Sequence, residues 1–158
     1  MLVAHNLLSD EAKVWVYPSN RKFYPQETEA LKEKVENFVA TWKEDEDFKA
    51  SYQLLYDRFI VFYAEENSIL SNADIHKQVV FILKLQNEYE VELLDKMNVC
   101  FKQGDYIQYK EIKDFKKMLK EKSVSPKTIV FDNLIQTKYD LENFWEVPIT
   151  ESWYNRFL

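Results

Sequence analysis

Of the 21 basic residues only Arg21, Arg58 and Arg156 are arginine, and two of the three follow asparagine, as Asn20-Arg21 and Asn155-Arg156. A guanidinium presents a rigid planar fork that matches carboxylate or phosphate, which a lysine ammonium does not. Ser19, Asn20 and Arg21 follow the apolar run Val14 to Tyr17, Gln103 follows Met97 to Lys102, and Asn133 follows Thr128 to Phe131. If these runs are parallel neighbours in one sheet, their polar ends meet beyond the carboxyl ends of the strands, where open α/β sheets hold ligands. Ser19, Asn20, Arg21, Gln103 and Asn133 are therefore the candidate site, and a small phosphate- or carboxylate-bearing molecule is its expected ligand. The bland alternative is that Arg21 and Arg156 fasten the ends of the chain by ion pairing and stacking, which is what most surface arginines do.

A second group is basic. Lys110, Lys113, Lys116, Lys117, Lys120 and Lys122 stand against Glu111, Asp114 and Glu121, a local excess of three positive charges in a chain whose net charge is −6. Lys113, Lys117 and Lys120 are candidates for docking an acidic protein partner or an RNA backbone. The plainer reading is a solvated helix face with Ile112, Phe115 and Leu119 turned inward. A pI near 5.1 disfavours a general nucleic-acid binder, which needs cationic surface to displace phosphate counterions.

The remaining chemistry is sparse. His5, His76 and Cys100 are the only imidazole and thiol donors and do not cluster, so neither a metal nor a cofactor is expected. Cys100 lies in an apolar run, where cysteine behaves as a small inert hydrophobe rather than a nucleophile. Glu65, Glu66, Asp57 and Asp132 could do acid/base work or hold Mg²⁺ through water. Asp57 and Asp132 read better as turn residues.

Positioning these groups falls to elements legible from pattern. Val14–Tyr17 reads as a strand ended by Pro18. Pro25 suits the first position of a helix, and Leu31, Val35, Phe38, Val39 and Trp42 form its apolar stripe. Residues 51–64 read as two strands in a tight hairpin turning at Asp57 and Arg58. Ser71, Asn72 and Asp74 offer caps for a second helix with the stripe Ile75, Val79, Ile82, Leu83. Met97–Lys102 reads as a strand closed by Gln103, Gly104 and Asp105. A third helix spans Tyr109 to Lys122, and Thr128–Phe131 is a strand that resumes at Leu134–Thr137. Residues 139–158 form an aromatic tail without clear period, expected to fold back onto the body. Residues 1–12 are expected to be flexible.

At 158 residues, with 11 Phe, 10 Tyr and 4 Trp, the chain has material for a single α+β domain with its own core. The expected architecture is one mixed β-sheet with about three packed helices. LLYDRFI at 54–60 echoes IVFDNLI at 129–135, which is either a repeat giving two βαβ-like halves or the likeness of any two amphipathic units. Without a basic apolar leader or an apolar run of about 20 residues, and with a single cysteine, the expected location is cytoplasmic and no membrane partner is expected.

VWVYPSNR (Val14–Arg21), FKQGDYIQYKEIK (Phe101–Lys113), VFDNLIQTK (Val130–Lys138) and WEVPITESWYNRF (Trp145–Phe157) resemble a small uncharacterised bacterial family whose members often carry the label ABC transporter ATPase. The likeness covers nearly the whole chain and implies no catalytic residue. The label conflicts with the backbone. Gly104 is the only glycine, where usual composition gives roughly 11, and it is followed by Asp105 rather than Lys. A Walker A loop needs two glycines to bring its amides against phosphate, so a P-loop ATPase is excluded. The functional expectation is a non-catalytic binding or protein-interaction module, with an enzyme acting through the polar strand ends as the alternative.

Overall fold

The computed structural model describes all 158 residues, and the fold is α+β, with four helices and two antiparallel sheets. The contacts of the chain fall into two compact units: Met1–Leu94 with Gln136–Tyr139, and Asp95–Ile135 with Asp140–Leu158.

The first unit holds β1 (Lys13–Pro18), α1 (Pro25–Thr41), β2 (Ala50–Leu55), β3 (Phe59–Ala64) and α2 (Asn72–Tyr89). Its sheet has the order β1-β3-β2, with Trp15 opposite Phe62 and Tyr52 opposite Phe62 from the other side. Central β3 is buried along its whole length, which is why FIVFYA carries no alternating polar residue. α1 starts at Pro25, where the missing N–H costs nothing, and the Glu27 carboxylate accepts the N–H of Tyr24 at 2.8 Å. Ser71 caps α2 reciprocally: its Oγ accepts from Asp74 N–H at 3.1 Å and its own N–H donates to Asp74 Oδ2 at 2.9 Å. Leu31, Val35 and Val39 of α1 and Ile82 and Leu85 of α2 share one core with Tyr17, Ile60 and Phe62 of the sheet. Phe62 is its aromatic centre, with ring centroids of Tyr17, Phe38, Trp42 and Phe81 at 5.8, 5.5, 6.2 and 6.3 Å.

The β2–β3 hairpin turns at Asp57 as the sequence suggests, through Tyr56 and Asp57 at φ of 54° and 51° and an Arg58 N–H bond to Leu55 O of 3.0 Å. Two left-handed residues in succession match the right-handed twist of the strands, but neither is glycine. Residues 1–12, expected to be flexible, are bonded to the unit. Met1 and Val3 pair with the outer side of Ala50, and His5–Leu7 forms a 3-10 turn.

The second unit holds β4 (Asn98–Gln103), β5 (Tyr106–Glu111), α3 (Ile112–Lys120), β6 (Ile129–Phe131) and β7 (Glu146–Pro148), with sheet order β5-β4-β6-β7. α4 (Lys138–Phe144) runs from the first unit into the second. Phe115 of α3 packs between Phe101 and Tyr154, at 5.1 and 5.9 Å, in a core that includes Val99, Val130 and Ile149.

Several expectations are corrected. There is no single mixed sheet, because every strand ladder is antiparallel. The echo of 54–60 in 129–135 is not architectural: the first copy spans a hairpin turn, the second the end of β6, and no βαβ-like half forms. Helix three begins at Ile112, not Tyr109, because Gly104 and Asp105 form a two-residue hairpin loop that sends 106–111 back along β4. Gly104 has φ of 61°, the left-handed first central position of a type II′ turn. Residues 134–137 form no strand beyond one bridge from Thr137 to Lys13. The aromatic tail contains most of α4, all of β7 and two 3-10 turns, and Trp145 and Tyr154 are buried in it.

Candidate functional site

Ser19, Asn20 and Arg21 leave β1 and are each consumed by local bonds. The Ser19 N–H donates to Arg58 O at 3.0 Å, and the Ser19 Oγ accepts the N–H of Arg21 at 3.3 Å. Asn20 pairs twice with Glu92, its N–H donating to Glu92 O at 3.2 Å and its Oδ1 accepting Glu92 N–H at 3.0 Å. The Arg21 guanidinium forks onto both Glu27 oxygens at 2.9 and 3.2 Å and donates to Tyr89 O at 2.8 Å and Lys22 O at 3.1 Å. It also lies over the Tyr24 ring, 4.4 Å from the centroid. Arg21 thus joins the first turn of α1 to an orphan carbonyl at the end of α2. The hydrogen bond between them raises the pKa of Arg21 and lowers that of Glu27. With both terminal nitrogens committed, no fork remains for a phosphate.

The opening beside Asn20 points the same way. This cleft of about 300 Å³ is lined by Asn20, Gln86, Asn87, Val91 and the carboxylates Glu90 and Glu92. Its only ionised groups are negative, so it repels the anion expected there.

Gln103 and Asn133 belong to the second unit, so neither unit assembles the five-residue pocket. They do not meet each other either. β4 and β6 are antiparallel with Phe101 opposite Val130, which places the ends of the two strands in opposite directions. Five residues separate Asn133 from the position in register with Gln103, about 17 Å of extended chain. Asn133 Oδ1 accepts the Trp145 indole N–H at 2.8 Å. Parallel strands were the premise of convergence, and antiparallel pairing removes it.

The lone glycine has a hairpin role. Gly104 leads into a strand, not into a helix N-terminus whose amides could face phosphate. Cys100 is fully buried and His76 is exposed on α2. Asp132 is the turn residue expected, its Oδ1 accepting from Leu134 N–H at 3.2 Å and its Oδ2 from Trp153 N–H at 2.9 Å. Glu65 is fastened internally as well. Burial pushes its pKa up, but bonds from the Ser9 hydroxyl and from the Glu66 and Ser9 amides outweigh this and hold it below its ordinary value.

α3 differs from these. Positions 113, 117 and 120 lie within about 60° of one another around the helix, opposite buried Phe115. Lys113 and Lys117 are 80% and 72% exposed and pair loosely with Glu111 and Glu121 at 3.6 and 3.9 Å. Lys116 lies over the Phe157 ring at 4.4 Å. Pairs this exposed contribute about 1 kcal/mol at most, so the charges face solvent available to a partner. The first unit carries 11 basic and 17 acidic residues and therefore the whole net charge of −6, while the second carries 10 of each.

Sequence reasoning did not find a cleft of about 490 Å³ along the outer edge of β2, bordered by His5, Lys32 and Glu36. Its residues come from three separate segments, so no local spacing announces it. One edge is fixed by the Tyr52 hydroxyl donating to Glu36 at 2.6 Å, and the other by a 3.1 Å bond between the Gln53 amide and His5 Nε2.

No helix is long and apolar enough to cross a membrane. Compared with protein-family models, curated proteins and solved structures, the chain matches none.

Proposed function

We propose that this protein is a non-catalytic interaction module that docks an acidic surface of a partner protein on the Lys113/Lys117/Lys120 face of α3. The observation that carries this reading is the solvent-facing lysine stripe, held by loose ion pairs, on a helix whose opposite side is anchored by Phe115. Three like charges within about two turns cost self-repulsion that a purely structural helix gains nothing from, and a carboxylate-rich partner relieves it. Lysine suits a partner of varied geometry, because its ammonium is a point charge without a fork's directional demand.

The test compares wild type with a Lys113→Glu/Lys117→Glu/Lys120→Glu variant in pull-downs from extract, with and without nuclease. A protein retained by wild type, released by raised salt and lost by the variant supports the reading. Equal recovery by both proteins refutes it. Recovery that disappears with nuclease transfers the face to RNA.

A further inference from the structure

We propose that the outer edge of β2 is a strand-addition site that takes an extended, basic-flanked peptide segment of a partner protein. In an antiparallel pair successive residues turn their N–H and C=O alternately toward and away from the neighbouring strand. Ala50 fixes the phase here. Its N–H donates to Met1 O at 3.0 Å and its C=O accepts from Val3 N–H at 2.9 Å, so the even-numbered positions of β2 face away from β3. Tyr52 and Leu54 have the same phase, and their outward backbone groups have no backbone partner.

The N-terminal segment shows what this edge accepts. Met1–Val3 already occupies its first rung through the single parallel Leu2–Ala50 bridge, and the chain then leaves the edge at Ala4 to form the 3-10 turn. The next two rungs line the 490 Å³ cleft, a volume within the range of about 300–1,000 Å³ usual for binding sites. α1 borders this edge through Lys32 and Glu36 and the N-terminal segment through His5, and the free backbone groups between them suit one extended chain. A second copy pairing edge to edge would bring the −6 charge of this unit against itself. The −6 charge of this unit selects basic residues flanking the paired segment, and its extended conformation favours β-branched side chains. This site is independent of the α3 reading and either can fail alone.

The probe is the capped peptide Lys-Val-Thr-Val-Lys, titrated into the full ¹⁵N-labelled chain and followed by amide shifts. Two rungs make up to four backbone bonds, which corresponds to a Kd on the order of 0.1–1 mM. Strand pairing has period two, so of two peptides N-methylated on alternate sets of residues, one should lose binding at least tenfold and the other keep it. Leu54→Pro removes an outward N–H without breaking the ladder to β3 and should abolish binding in a folded protein. The proposal is overturned by no saturable shift up to about 5 mM, by equal binding of both methylated peptides, or by undiminished binding to folded Leu54→Pro. A concentration-dependent dimer lost in Leu54→Pro would assign the edge to a second copy and also overturn it.

Discussion

Inside the first unit the Tyr17 hydroxyl donates to Gln78 Oε1 at 2.5 Å, while Gln78 Nε2, in a side chain with no solvent exposure, finds no partner among the protein's groups. Replacing Tyr17 by Phe leaves the whole Gln78 amide unpaired, at a cost of about 1–3 kcal/mol. Gln78→Met removes the unpaired amine but strands the Tyr17 hydroxyl, at a similar or smaller cost. The double variant replaces both partners by apolar groups of comparable shape, which is near neutral, so the coupling energy is expected to approach the sum of the two single costs. For a chain of this size 1 kcal/mol moves Tm by about 2–4 °C. Calorimetry and urea unfolding of the four proteins should therefore show each single variant melting lower and the double close to wild type. Alkaline titration supplies an independent readout. Burial pushes Tyr17 up to about 12 from an ordinary 10.0. Its contribution is fully present below pH 10 and lost as pH rises toward 12, a loss of up to about 3 kcal/mol, and Tyr17→Phe should flatten that part of the curve. Additive single variants, or a neutral Tyr17→Phe, would refute the reasoning by showing the amide satisfied in another way.

Other consequences concern backbone and charge. Asp57 sits at φ of 51° beside Tyr56 at 54°, so Asp57→Gly should stabilise by up to about 1 kcal/mol, visible as a raised urea midpoint with unchanged slope. Gly104→Ala should cost about 1–2 kcal/mol from its left-handed backbone alone, since an added Cβ meets nothing within 4 Å; an amide spectrum perturbed beyond the hairpin would contradict this. Glu27, lowered by its bond to Arg21, and Asp74, lowered chiefly by the Ser71 backbone N–H, stabilise the fold above their ordinary pKa values. That stability is lost as pH falls through the lowered values, so Glu27→Gln should reduce the acid dependence of unfolding. Arg21→Lys keeps the charge but loses the fork, and a drop of about 1 kcal/mol is expected.

Local pattern carried the sequence reading a long way. Leu31, Val35 and Val39 recur at the helical period and α1 formed; residues 51–64 read as two strands of a tight hairpin, and β2 and β3 form one. With Gly104 as the only glycine the sequence holds no Walker A loop, because that geometry depends on missing β-carbons. The fate of Phe115 and its opposing lysines was equally visible, since burial and exposure on one helix follow from spacing.

What failed was whatever depends on which strands become neighbours. Gly104-Asp105 is a legitimate two-residue hairpin signal, yet Tyr109 and Ile112 also fit a helical stripe, and only pairing of 106–111 with β4 decided between them. Gln103 and Asn133 were grouped on the premise of parallel strands, whereas antiparallel ladders turned their ends apart. Arg21 needed Glu27 and the Tyr89 carbonyl, 68 residues away, before its work as a fastener could be seen. The β2 cleft likewise joins residues from the N-terminus, α1 and the hairpin. Periodicity is a property of one segment and is written in its residues; register and long-range partners are settled by the collective free energy of packing, which no single segment contains.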